Sequence, residues 1–184
     1  MPWPDWLEPP DNTLLERLRA LRLVLFDVDG VLTTGALFYG DDGQEYKAFH
    51  SRDGQGMKML RQSGVELGIL TGRTSSVVAL RAANLGSAHV IQGADDKLAA
   101  CQQLLAQLGL PFEALAFVGD DIVDLPVMRR AGLAATVADA HPLVRQAAHW
   151  QSRLGGGQGA ARELCELIMA AQGRLDEQLE PYRQ

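Results

Sequence analysis

The 184-residue chain is expected to fold as one α/β domain of the doubly wound type, with a mostly parallel sheet. Three observations predict this. Short β-rich apolar runs alternate with helical patterns, as βαβ units do. Polar residues able to do chemistry stand directly behind several of these runs, where open α/β sheets bind ligands. The composition, 47% hydrophobic and 22% charged, is that of a globular chain.

The elements follow in order. Residues 1–11 hold four prolines and two tryptophans and read as a loosely ordered N-terminal arm. "TLLERLRAL" predicts a short helix leading into the strand "RLVLF". "GALFYGDDGQEYKAF" (35–49) breaks the alternation, with two short β-like runs around a Gly/Asp turn that predict a β-hairpin flap. After one further helix, "VELGIL" (65–70) is a strand and a helix runs from near Ser75 to about Leu85. "AHVI" (88–91) is a strand, and "KLAACQQLLAQLG" (97–109) a helix stopped by Gly109 and Pro111. "ALAFV" (114–118) is a strand, "IVDLPVMRRAG" a short helix ending at Gly132, and "LAATV" (133–137) a further strand. "AHWQ" (148–151) suits a small edge strand. Residues 155–184 comprise a Gly-rich segment and the final amphipathic helix "AARELCELIMAAQGRL" with a tail. Together these make a Rossmann-like sheet with crossovers of right-handed sense.

Charge and composition exclude several classes. The net charge is −6 and no Lys/Arg cluster forms a basic patch, which argues against nucleic acid or an anionic membrane as partner. No apolar run approaches the ~20 residues a membrane span needs. The opening "MPWPDWLEPPDN" has no basic region followed by an apolar one, so no secretory signal is expected. Cys101 and Cys165 fall inside helical patterns and read as buried free thiols. The cytosol is the expected compartment. His89, His141 and His149 read as structural or surface residues.

The strand ends carry the chemistry. "LFDVDG" delivers Asp27 and Asp29, "TGR" delivers Thr71, Gly72 and Arg73, and "VGDD" delivers Asp120 and Asp121. Lys97 opens a helix, and Asp124 lies one turn beyond Asp121. A parallel sheet brings these positions to one edge. Hard carboxylate oxygens gathered there suit Mg²⁺, while a lysine, a hydroxyl and Gly-rich amides suit phosphate oxygens. Taken alone, Lys97 also reads as a surface lysine of an amphipathic helix, and Asp121 as a helix N-cap.

In this order and on these elements, "DVDGV", "TGR", Lys97 and "GDDIVD" resemble the four motifs of the haloacid dehalogenase superfamily. The resemblance implies that Asp27 is the nucleophile and forms an aspartyl-phosphate. Asp29 is implied as acid and then base. Mg²⁺ would be held by Asp27, the Asp29 backbone carbonyl and Asp120, with Asp121 and Asp124 positioning the metal waters and Lys97. Thr71 and Lys97 would hold the phosphoryl group. Transport ATPases resemble the pattern but carry Thr in place of Asp29, so an aspartate there implies a phosphatase or phosphomutase. Only 41 residues separate Asp29 from Thr71, and 25 separate Thr71 from Lys97, which leaves no room for a cap domain.

A narrower resemblance runs from about Leu14 to Glu177. "GQEYKAFHSRDGQGMKML", "TGRTSSVVALRAANLG", "VADAHPL" and "GGGQGAARELCELIMAAQGRLDE" are similar to 3-deoxy-D-manno-octulosonate 8-phosphate phosphatases. That family implies a Mg²⁺-dependent homotetramer of bacterial lipopolysaccharide synthesis that dephosphorylates an eight-carbon sugar acid. It implies sites completed by neighbouring subunits, through the hairpin or the glycine-started tail; on composition alone residues 155–157 also suit a flexible linker. His50, Ser51, Arg52, Asp53 and Gly54 would line the sugar-acid pocket, and Lys58, Arg73, Arg81 and Lys97 would supply its cations. Family members often carry Asn at the position of His50 and Arg at that of Lys58. Two alternatives stand beside this reading. One is a phosphatase for a nine-carbon sugar acid of the acylneuraminate 9-phosphate type; the other is a non-catalytic oligomerisation module.

Overall fold

In the computed structural model, which describes residues 3–183, six parallel strands form one sheet. They are β1 (Leu23–Phe26), β4 (Glu66–Leu70), β5 (His89–Ile91), β6 (Leu115–Val118), β7 (Leu133–Thr136) and β8 (Trp150–Gln151), in the order β5-β4-β1-β6-β7-β8. Register runs Phe26 opposite Ile69 on one side and Val118 on the other. The three central strands therefore end level with one another.

Period-two alternation assigns each strand residue to a layer. Val24, Phe26, Ala116 and Val118 join one buried cluster, with Leu18 of α1 (Asn12–Ala20), Leu60 of α2 (Ser51–Gln62), Val78 of α3 (Ser76–Leu85) and Ile168 of α7 (Ala160–Ala171). Leu23, Leu25, Leu115 and Phe117 join the other, with Cys101 of α4 (Lys97–Leu108), Val127 of α5 (Leu125–Met128) and Val144 of α6 (Pro142–Ala147). Both cysteines are free and buried, as expected. Near-continuous apolar strands with helices on both faces are what a parallel sheet demands.

The hairpin pairs β2 (Phe38–Tyr39) antiparallel with β3 (Glu45–Tyr46), apart from the main sheet. No cap domain interrupts the described residues.

Several expectations need correction. The final helix does not run through Leu175. It stops at Ala171, Gly173 turns the chain with a φ of 71°, and α8 (Leu175–Leu179) follows. The "IVDLPVMRRAG" segment is a 3-10 turn over Ile122–Asp124 followed by α5, which ends at Met128. Helix α6 was not expected; Pro142 at its first position and the His141 ring nitrogen accepting from the Leu143 amide start it. The arm is docked rather than loose over its described part. Leu7 is buried, and the Trp6 indole donates to Glu166 at 2.9 Å. Residues 1–2 of the arm and residue 184 of the tail lie outside the described residues.

Candidate active site

Strand ends β1, β4 and β6 stand side by side, so the residues after them meet. The Asp27 amide continues the ladder, donating to the Val118 carbonyl at 2.9 Å, which fixes the carboxylate beside β6. The Thr71 amide donates to the Ile91 carbonyl at 3.0 Å. Lys97 is brought in by α4, whose start is capped by Asp96 accepting from the Ala99 amide. Asp27, Thr71, Lys97 and Asp124 are all buried.

One ammonium ties the group together. Lys97 Nζ lies 3.0 Å from Asp27 Oδ2 and 2.7 Å from Asp124 Oδ1. The second oxygen of Asp124 accepts from the Asp120 and Asp121 amides at 3.0 and 3.2 Å. Asp124 is thereby fully engaged. Asp121 caps the following turn, its Oδ1 accepting from the Ile122 amide at 2.7 Å.

Carboxylate oxygens of Asp27, Asp120 and Asp124 lie within 4.8 Å of one another. Asp27 Oδ1 and Asp120 Oδ1 are buried with no hydrogen-bond partner among the described residues. Orphaned buried acceptors are rare and call for a ligand, and two such hard oxygens in one cluster suit a small dication. The Asp29 carboxylate lies outside this trio. Of the expected metal residues, only Asp27 and Asp120 offer side-chain oxygens to it.

Electrostatics point the same way. Burial first, then the neighbouring Asp124 charge, lift Asp27 to a pKa of about 6. Asp120 is pushed up to about 7 by burial and by Asp124, Asp27 and Asp121. Burial alone would lower Lys97, but the Asp27 and Asp124 carboxylates outweigh it and hold its pKa raised.

Above this cluster the hairpin closes a ring of alternating charge. Lys47 Nζ lies 2.5 Å from Asp29 Oδ1 and 3.2 Å from Glu45 Oε1. Arg73 Nη2 lies 3.0 Å from Glu45 Oε1, and Arg73 Nε 3.5 Å from Asp29 Oδ2. The last contact is an ion pair without hydrogen-bond geometry, since Asp29 Oδ2 has no hydrogen-bond partner. The Tyr39 hydroxyl accepts from Arg73 at 2.6 Å. Sequence reasoning missed Lys47, Glu45 and Tyr39. The one available signal was that Glu45 and Lys47 stand two apart in a β-like run, which would put them on one face.

The cleft between ring and cluster holds about 450 Å³ and is lined by Asp27, Asp29, Thr71, Arg73, Lys97, Asp120, Asp121 and Val123, among others. The other expected substrate residues do not line it. Ser51, Arg52, Asp53 and Gly54 form the first turn of α2, with His50 at its N-cap. Asp53 caps α7, accepting from the Gly159 and Arg162 amides at 3.3 and 2.8 Å. Arg81 packs against Gly54, donates to the His50 carbonyl at 3.2 Å and stacks on Phe49 at 5.4 Å. Arg52 lines a separate pocket with Trp6, and Lys58 is exposed on α2.

The glycine run is packed against the domain and is not a free linker. Gly156 donates to Asp139 at 2.9 Å and Gly157 to the Val31 carbonyl at 2.9 Å. A Cβ on Gly156 would overlap the Gly30 carbonyl, and one on Gly30 would overlap the Asp120 carboxylate. The backbones of Gly156 and Gly30 are thus stacked behind the metal-ligand candidate.

Comparison with known proteins agrees with this architecture. Residues 41–132 match the haloacid dehalogenase-like hydrolase family. The chain is 44% identical over 169 residues to the 3-deoxy-D-manno-octulosonate 8-phosphate phosphatase of Escherichia coli K12, covering 92% of this chain and 90% of that protein. A structure of the phosphatase of that name from Yersinia pestis superposes with a TM-score of 0.91 at 43% identity, covering 95% of each chain. The Moraxella catarrhalis phosphatase, solved with a magnesium ion, a phosphate ion and a KDO molecule, gives 0.92 at 39% identity, over 94% of this chain and 99% of that one. With its motifs on neighbouring strand ends and no cap, the chain belongs to the 3-deoxy-D-manno-octulosonate 8-phosphate phosphatase family of haloacid dehalogenase-like hydrolases.

Proposed function

We propose that the protein is a Mg²⁺-dependent phosphatase that releases phosphate from 3-deoxy-D-manno-octulosonate 8-phosphate, in lipopolysaccharide synthesis. The observation that carries the reading is the charge of the cluster. Asp27, Asp120 and Asp124 cluster around one ammonium, Lys97, which pairs with Asp27 and Asp124. Fully ionised, the set would repel a phosphate by two excess negative charges. Asp27 and Asp120 would hold a dication, which when bound would cancel that excess and offset the charge of the phosphate oxygens. The magnesium and phosphate of the Moraxella relative support this choice.

The chain's own residues then divide the work. The Asp27 carboxylate attacks phosphorus, and the P–O bond to the sugar breaks as the aspartyl-phosphate forms. Asp29 gives its proton to the departing sugar oxygen and takes one from the water that hydrolyses the acyl phosphate. Thr71 and Lys97 hold the phosphoryl oxygens. Asp124 holds Lys97 and, through two amides, the loop that carries Asp120. Arg73 is the cation of the cleft mouth best placed for a substrate carboxylate.

Assembly as a homotetramer belongs to the same reading. Leu37, Phe38, Tyr39 and Tyr46 of the hairpin region are each about half exposed, apolar surface suited to another copy of this chain. Light scattering should return about four times the 20.0 kDa chain mass. No helix among the described residues is long and apolar enough to cross a membrane.

A substrate panel tests the reading. With Mg²⁺, kcat/KM for the eight-carbon substrate should exceed that for acylneuraminate 9-phosphate and simple sugar phosphates by about tenfold or more. A preference for the nine-carbon compound would overturn the assignment, and no phosphate release from folded protein would favour the non-catalytic module.

A further inference from the structure

The hairpin inverts the usual order of burial. Its aromatics Phe38, Tyr39 and Tyr46 are exposed, while the side chain of Lys47, just beyond β3, is 1% exposed. A lysine is almost never buried unless paired, and isolating an ammonium from water is strongly unfavourable without partners. The ion-pair partners of Lys47 among the described residues are Asp29, at 2.5 Å, and Glu45, at 3.2 Å. The hairpin's own fold gives no reason for this burial, since two two-residue strands offer no core. The buried charge is directed at the cleft.

Among the described residues, no other group holds the Asp29 carboxylate so closely; its other oxygen meets the Arg73 guanidinium at 3.5 Å, without a hydrogen bond. Glu45 bridges the two cations, touching Lys47 on one side and Arg73 on the other. A carboxylate that must transfer protons at a fixed point needs its rotamer locked by such contacts, because a misplacement of ~1 Å can lose about 100-fold in rate.

We propose that Lys47 is a positioning residue of the reaction: carried by the hairpin into the site of its own chain, it fixes the Asp29 carboxylate over the cleft. Glu45 orients Lys47 and joins it to Arg73, so the hairpin and the catalytic set act as one unit. The inference rests on Asp29 being the acid and base.

A double-mutant cycle tests it. Lys47→Met should lower kcat on 3-deoxy-D-manno-octulosonate 8-phosphate by about 30-fold or more, with KM changed less than about 3-fold. Lys47→Arg, which keeps the charge, should recover at least half of that loss on a logarithmic scale. In an Asp29→Asn background, adding Lys47→Met should lower the residual rate by less than about 3-fold, because the two act as a unit. A merely structural contribution would instead multiply through both backgrounds, and that result would overturn the proposal. So would a raised KM at unchanged kcat, the mark of a substrate-binding cation. Full activity in Asp29→Asn would overturn both the acid–base reading and this inference. An impaired Asp29→Asn beside an unaffected Lys47→Met would overturn this inference alone.

Discussion

The carboxylate cluster and the hairpin that covers it are built on opposite principles. Asp27, Thr71 and Asp120 hang from the level ends of three paired strands, backed by two buried helical layers. The hairpin has two residues per strand, exposed aromatics, and a charge ring as its link to the site. In the first region backbone pairing sets the chemistry's geometry; in the second, side-chain charge does. The lower region should therefore fail when atoms of its stacked backbones are moved, and the upper one when a charge is removed.

The largest effect should come from the nucleophile. Asp27→Asn should lower phosphate release by about 10⁴-fold or more with the fold intact, since an amide cannot take the place of the attacking carboxylate. A loss under tenfold would detach the strand end from the chemistry.

Next comes the packing behind the metal ligands. Gly30→Ala would drive a methyl into the Asp120 carboxylate. Apparent Mg²⁺ affinity, read from activity against Mg²⁺ concentration, should fall by about 10–100-fold. Gly43→Ala in the hairpin turn meets no atom within 4 Å, though its φ of 79° is equally left-handed. It should cost about 1 kcal/mol of local strain and leave that affinity unchanged. Equal losses of Mg²⁺ affinity in the two variants would erase the contrast between the regions.

The pH dependence of the metal-free protein follows from the raised carboxyls. An acid with a folded pKa above its unfolded value binds protons more readily when folded. The stability this contributes is complete below the ordinary value of 3.8 and is lost as pH rises through about 6 for Asp27 and about 7 for Asp120. Metal-free protein should therefore melt lower at pH 8 than at pH 5, and Mg²⁺ at pH 8 should restore the difference. Differential scanning calorimetry at both pH values, with EDTA and with Mg²⁺, reads this directly.

The smallest effect on activity should come from Asp53. Its loss uncaps α7, so Asp53→Ala should destabilise by about 1–2 kcal/mol while kcat on the sugar-acid phosphate stays within about 3-fold of wild type. A large kcat loss at unchanged stability would return Asp53 to the substrate pocket.

What could be read from the sequence follows the same division. Asp27, Asp29, Thr71, Asp120 and the parallel sheet were legible because strand periodicity fixes where a strand ends, and the topology makes those ends converge. Lys47 was not legible, because a lone lysine in a surface hairpin looks solvated until the hairpin's angle to the sheet is known. The partners of Asp53 and Arg81 within the chain were not legible for a related reason. Each suits a charged ligand by residue type, yet Asp53 meets the start of α7, more than a hundred residues further along, and Arg81 fills the notch left by Gly54. The glycine run looked mobile by composition, whereas close backbone approach to Gly30 requires its lack of side chains.

The central claim is that Asp27 carries the phosphoryl group and Asp29 completes its release. Rapid-quench of the Mg²⁺-loaded enzyme with ³²P-labelled 3-deoxy-D-manno-octulosonate 8-phosphate tests both at once. The account predicts hydroxylamine-labile label on the protein within the first turnover, its persistence in Asp29→Asn, and none in Asp27→Asn. Phosphate released in that turnover with no protein-bound label at any time, or label retained in Asp27→Asn, would contradict it.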